Sequence, residues 1–114
     1  MIEKVIYDYL NSVEGLPATA YTEIPKTMPE KFYLIEKTGD SRTDHINKAT
    51  ITIQSWGTSL YEASSMNEEL KGAMLNGLIR LDDVSGVKLN SDYNFTDTTT
   101  KKYRYQAVFV VTYY

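Results

Sequence analysis

The stretch YRYQAVFVVTYY, residues 103–114, constrains the fold more than any other part of the chain. Read with a period of two, one face carries Tyr103, Tyr105, Ala107, Phe109, Val111 and Tyr113. The other carries Arg104, Gln106, Val108, Val110, Thr112 and Tyr114. Its middle is apolar on both faces, which is the pattern of an interior strand with a cover on each side. A chain of 114 residues sets the supply of covers. It is one domain, residues 1–114, with one core.

The first cover is IEKVIYDYLNSV. Ile2, Val5, Ile6, Tyr9, Leu10 and Val13 recur at offsets of three and four, an apolar helical stripe opposite Glu3, Lys4, Asp8 and Asn11. Gly15 and Pro17 stop it. The second is GTSLYEASSMNEELKGAMLNGLIRL. Ser59 with Glu62 matches a capping box, with Thr58 a competing cap. Leu60, Ala63, Met66 or Asn67, Leu70, Ala73, Met74, Gly77, Leu78 and Leu81 keep the 3.6 period of a core-facing helix.

Between the helices, ATAYTEI reads as a short strand and PKTMPE as a connection, since two close prolines remove backbone donors. KFYLIEK, residues 31–37, reads as an interior strand because its centre is apolar on both faces. TGDSRTDH, residues 38–45, reads as a polar hairpin loop. INKATITIQSW alternates, with Ala49, Ile51 and Ile53 against Lys48, Thr50, Thr52 and Gln54. After a DDVSG turn, VKLNSDYNF sets Val87, Leu89, Ser91 and Tyr93 against Lys88, Asn90 and Asp92. TDTTTKK is a further turn. The expected fold is α+β in the order α-β-β-β-α-β-β, a mainly antiparallel sheet with two helices packed on one face. Two helices cannot cover both faces, so a second subunit is expected over the other face of the terminal strand.

Net charge is −3, and the longest basic run is Lys101-Lys102 with Arg104 nearby, too little to grip DNA or RNA tightly. A sheet showing Tyr105 and Phe109 could stack bases, but the element order is not β-α-β-β-α-β and KKYRYQAVF lacks the glycines of a ribonucleoprotein motif. The chain has no cysteine, hence no disulfide and no thiolate metal site. No signal peptide and no run of roughly 18 apolar residues for a membrane span is read in it. Ten tyrosines against three phenylalanines suit half-buried surfaces, and equally suit strands.

Chemistry has one candidate, His45 beside Asp44 and near Asp40, a set that could hold a metal or act as a base. A solvated loop accounts for the same residues. Asp82-Asp83 read as turn acids, and no Ser or Thr has a histidine in sequence context to activate it. There is no phosphate loop, nucleophile elbow or zincin motif. The expectation is a protein that is not an enzyme and uses no cofactor.

Three stretches carry a family resemblance: MIEKVIYDYLNS leading into VEGLPATAYTEIPKTMPEKFYLIEKTG, ATITIQSWGTSLYEASSMNEELKGAM, and YNFTDTTTKKYRYQAVFVVTYY. Together they resemble the tail terminator proteins of long-tailed bacteriophages, also called tail completion or minor tail proteins, found in prophages of Gram-positive bacteria. The resemblance implies a small α/β subunit of the virion tail, assembled in the cytoplasm of the host bacterium. It implies a hexameric ring at the head-proximal end of the tail tube, from subunits that can be monomeric in solution. Such a ring stops polymerisation of the major tail tube protein and offers a docking face to the head-completion or connector protein. DNA passes through the hole without being read.

Rings arise from head-to-tail contacts that close. The residues expected in subunit or tube contacts are Tyr105, Val108, Val110 and Tyr114 of the terminal strand. Asp40, Arg42, Asp44 and His45 of the polar loop, with Lys26 and Met28 of the proline-bracketed connection, are expected to reach toward the tube, a neighbour or the lumen. The alternatives are a head–tail connector or neck protein, a small metal-binding enzyme domain on Asp40, Asp44 and His45, and an RNA-binding sheet.

Overall fold

A computed structural model describes residues 1–114. The elements are α1 (Ile2–Ser12), β1 (Ala20–Tyr21), β2 (Phe32–Thr43), β3 (Ile46–Trp56), α2 (Leu60–Asn76), a 3₁₀ turn (Leu78–Arg80), β4 (Val84–Asn94) and β5 (Arg104–Tyr113). The five strands form one sheet in the order β1-β2-β3-β5-β4. Every pairing is antiparallel except the short parallel contact of β1 with β2. The fold is therefore α+β with the expected element order, and β5 is an interior strand between β3 and β4. No helix is long and apolar enough to cross a membrane.

The helices share one face of the sheet, and the core lies beneath them. Ile35, Ile53 and Ala107 stand in one cross-strand row, and Ile51 and Phe109 in the next. All are buried, together with Ile2, Ile6 and Leu10 of α1 and Met66, Leu70, Met74 and Leu78 from α2 and the turn after it. Burying a large apolar side chain contributes about 1.5–3 kcal/mol, so this layer dominates stability. Polar ties fix it: the Tyr33 hydroxyl donates to the Met66 carbonyl at 2.9 Å, and the Tyr9 hydroxyl donates to the Ala73 carbonyl at 2.9 Å.

The α2 cap is a shifted capping box. Ser59 Oγ accepts from the Glu62 amide at 3.1 Å. The Glu62 carboxylate reaches one residue further back, accepting from the Thr58 amide at 2.8 Å and its hydroxyl at 2.9 Å. Gly57 leads into this cap with no room for a side chain, since a Cβ there would sit 2.7 Å from the Ala63 amide nitrogen. Leu60 is exposed, and Leu81 falls beyond the helix, which ends at Asn76.

Four sequence expectations are corrected. The polar stretch 38–45 is not a loop: residues 38–43 continue β2, and the connection is a two-residue turn with Asp44 and His45 at positive φ. That matches the tight hairpin turns whose twist suits the flanking strands. The strand read over ATAYTEI shrinks to Ala20–Tyr21. There the Asn11 side chain accepts from the Ala20 amide at 2.9 Å and donates to its carbonyl at 3.1 Å, standing in for a further strand. Because β1 is so short, β2 is interior only near Tyr33 and Leu34 and is a sheet edge beyond them. In β4, a bulge between Leu89 and Ser91 inverts the alternation. Asp92 turns in toward α2, where Lys71 Nζ lies 2.5 Å and Asn67 Nδ2 3.1 Å from its carboxylate, and Ser91 and Tyr93 turn out.

Candidate functional site

The face of the sheet away from the helices is the largest surface the fold leaves open, and strand register builds it row by row. The first row is Phe32, Trp56, Arg104 and Phe95. Phe32 stacks on Trp56 at 5.1 Å, and Tyr21 meets Phe32 edge-on at 6.0 Å. The Arg104 guanidinium lies 4.8 Å from the Trp56 ring and 4.7 Å from the Phe95 ring, and its Nε donates to the Phe95 carbonyl at 2.9 Å. Cation–π contact with two rings holds this arginine flat.

The second row is Leu34, Gln54, Gln106 and Tyr93. A one-way hydrogen-bond relay crosses it. Trp56 Nε1 donates to Gln54 Oε1 at 2.9 Å, Gln54 Nε2 donates to Gln106 Oε1 at 3.0 Å, and Gln106 Nε2 donates to the Tyr93 hydroxyl at 2.5 Å. The Tyr93 oxygen has accepted, so its own O–H is left to donate outward.

The next rows are Glu36, Thr52, Val108 and Ser91, then Gly39, Thr50, Val110 and Lys88. Thr38 and Thr52 hydroxyls share a hydrogen bond at 3.2 Å. Val108 and Val110 are half-buried by these neighbours. The second face of β5 thus has no layer of its own, and its apolar centre is two valines set among threonine, glutamine and charged side chains.

A partial roof lies at one end. The connection from Thr22 to Lys31 crosses the open face near Phe32 and Trp56, which are 1% and 8% exposed. Between its Glu23 and Ile24 and the sheet's Leu34, Glu36 and Trp56 lies a cleft of about 410 Å³. Another, of about 270 Å³, lies among Met28, Pro29, Trp56, Lys101 and Lys102.

The sequence-selected residues separate into four places. Lys26 and Met28 belong to the roof and are exposed. Val108 and Val110 lie at the centre of the open face. Asp40, Arg42, Asp44 and His45 lie at the hairpin end, where Asn47 pairs with Tyr113 and the Tyr114 amide donates to the Asp83 carbonyl at 3.1 Å. Tyr105 lies on the helical face, in one row with Tyr33 and Ser55. The strands run between the roof end and the hairpin end of a body 45 Å long.

At the hairpin end, Lys37 Nζ lies 3.3 Å from Asp40 and 3.8 Å from Glu3, and the Tyr113 hydroxyl lies 3.5 Å from Asp40. The bond to Asp40 and the charge of Glu3 hold the Lys37 ammonium above its ordinary value. Burial, then the Asp40 charge, pushes the Tyr113 hydroxyl up. Asp40 is thus committed to Lys37 and Tyr113. His45 Nδ1 lies 3.5 Å from an Arg42 guanidinium nitrogen, whose charge opposes a cation there. No group of three or more His, Cys, Asp or Glu side chains converges to hold a metal.

Sequence reasoning missed Phe32, Gln54, Trp56, Tyr93 and Gln106 as one surface. Each sits at an alternate position of its own strand, but only the strand order and register align them. Compared with models of known protein families and with curated proteins, the chain matches none.

Proposed function

We propose that this chain is a structural virion subunit, a tail terminator that forms a ring at the head-proximal end of a phage tail tube. The observation that carries the reading is the one-sided helical layer. It leaves Leu34, Val108 and Val110 half-exposed on the other face, with Tyr93 and Phe95 exposed at its edge. A sheet face of that composition fits burial against another protein better than it fits bulk water. The two opposite ends of the 45 Å body, the hairpin end and the roof end, suit a piece set between two partners, the major tail tube protein on one side and the head connector on the other. On this reading the chain performs no catalysis and holds no cofactor. The net charge of −3 suits a ring that DNA passes without being gripped.

The test is to incubate purified protein with tail tubes and, separately, with DNA-filled heads, and to image both. Ring-shaped caps at one end of the tubes are expected. Attachment to heads alone would instead make the chain a neck protein of the same virion. Binding to neither removes the virion reading.

A further inference from the structure

We propose that the contact between neighbouring copies is made by the β4 flank of one copy, through Lys88, Tyr93 and Phe95, docking into the cleft of the next between Ile24 and Leu34. This inference rests on the ring reading and names the surfaces that build the ring.

Sheet order places the two flanks at opposite edges of one face. A contact between opposite flanks is heterologous, so it repeats from copy to copy and can close as a ring rather than stop at a pair. The two flanks also match chemically. The cleft of about 410 Å³ has Leu34 and Trp56 on its sheet side, Ile24 on its roof side, and the carboxylates of Glu23 and Glu36 at its rim. Ile24 is 54% exposed, unusual for an isoleucine in an ordered connection. The five ion pairs of the chain involve neither Glu23 nor Glu36. Arg104 also lines the cleft, but it is held between Trp56 and Phe95 and gives its Nε to a carbonyl.

The β4 flank offers the complement. Tyr93 and Phe95 form an edge-to-face pair at 6.1 Å and are 44% and 41% exposed. Aromatic rings near an edge, with polar neighbours, are the usual anchors of protein contacts. Lys88 is exposed and joins no ion pair in its own chain. The relay across the second row leaves the Tyr93 O–H as a free donor, and the cleft rim holds carboxylate acceptors for it and for Lys88. Strand addition is the competing way to join two edges. The bulges in β2 after Lys37 and in β4 after Val84 and Leu89 blunt both edges against it. Side chains, not a new ladder, therefore make the contact.

The chain has no cysteine, so introduced thiols report only the pair chosen. Ile24→Cys and Phe95→Cys are prepared separately, then mixed under mild oxidation, with Tyr61→Cys on α2 (84% exposed) as the collision control. Disulfide-linked dimers are expected in the mixture, well above either variant alone and above the control. Adding Lys88→Glu to the Phe95→Cys protein should lower the yield by about two- to fivefold, the equivalent of one surface ion pair, and Glu36→Lys in the other partner should restore it. Glu23→Cys repeats the test should Ile24→Cys fold poorly. A mixture no better than the control, or equal linkage of one variant with itself, overturns the contact. Linked dimers without capped tubes keep the contact and remove the terminator reading; capped tubes without linked dimers do the reverse.

Discussion

Replacing Gly77 by alanine tests how α1 is docked against the end of α2. Gly77 has φ −110° and ψ −46°, a conformation open to any residue, so the constraint is space. A Cβ built there would run into the Tyr9 hydroxyl oxygen and sit 2.9 Å from the Ala73 carbonyl oxygen, the acceptor of that hydroxyl. Overpacking of this kind costs about 1–3 kcal/mol. Removing conformational freedom from the unfolded chain returns about 0.4–1 kcal/mol. The net for Gly77→Ala is a loss of about 1–2 kcal/mol. Tyr9→Phe removes one hydrogen bond, worth about 1 kcal/mol, while the Ala73 carbonyl keeps the Gly77 amide at 3.0 Å. In the Tyr9→Phe background the clashing oxygen is gone, while the Ala73 carbonyl oxygen at 2.9 Å and the ring Cζ at 3.0 Å remain, so Gly77→Ala should then cost less but not nothing. The double variant is expected to be more stable than the sum of the two single losses, a coupling of about 1 kcal/mol. At 114 residues, 1 kcal/mol corresponds to about 4 °C in Tm. Urea and thermal unfolding of the four proteins measure it, with unchanged m-values as the check that the unfolded state is the same. Additivity within about 0.5 kcal/mol would refute the contact as the cause.

Three further outcomes follow from other parts of the fold. On β5, Val108→Asp should change stability by no more than about 1 kcal/mol and abolish assembly, whereas Phe109→Ala, one residue on but beneath the helices, should cost about 3–5 kcal/mol; chemical unfolding and tube capping separate them. At the hairpin turn, Asp44→Asn with His45→Gly should raise Tm by about 4 °C, because both positions hold positive φ and Asn-Gly adopts it most cheaply. The bonds from the Thr58 amide and hydroxyl hold the Glu62 carboxyl below its ordinary value of 4.5. A depressed folded value means stability that is present above pH 4.5 and is lost as pH falls through the folded value, so Glu62→Gln should flatten the acid side of a plot of Tm against pH.

What could be read from the sequence was whatever one buried face imprints. Ile2, Ile6 and Leu10 in α1, and Ala49, Ile51 and Ile53 in β3, are spaced by the geometry of their own element, and the structure buries each of them. Ser59 and Glu62 carry the helix start for the same local reason. Residues 38–43 failed that test because their own side chains are exposed on both faces, with Gly39 alone half-buried. There the ladder from Thr43↔Ile46 to Gly39↔Thr50, not side-chain pattern, holds the strand. The bulge in β4 leaves no mark on composition, yet it decides that Asp92 meets Lys71 and that Tyr93 joins the open face. Asn11 ends β1 by a bond nine residues away, which no local window reports. Val108 and Val110 were legible as a second apolar face, but the roof over Trp56 was not, since an aperiodic proline-bracketed path carries no signal of where it crosses.

The terminal strand's double apolar character does not require a permanent cover. Its helical face buries Ala107, Phe109 and Val111 completely, which anchors β5 whatever lies on the other side. On the open face, threonine side chains from Thr50 and Thr52 flank the two valines, and the glutamine relay pairs both amide oxygens and one hydrogen of each amide group across three strands. Such a surface is tolerable in water and still gains by burial, because much of the cost of desolvating its amides has already been met inside the chain. A subunit of this kind can persist alone, its copies meeting weakly and reversibly, and a template that raises its local concentration makes the association lasting. Permanent association would call for a larger uninterrupted apolar face than two valines and an aromatic edge provide.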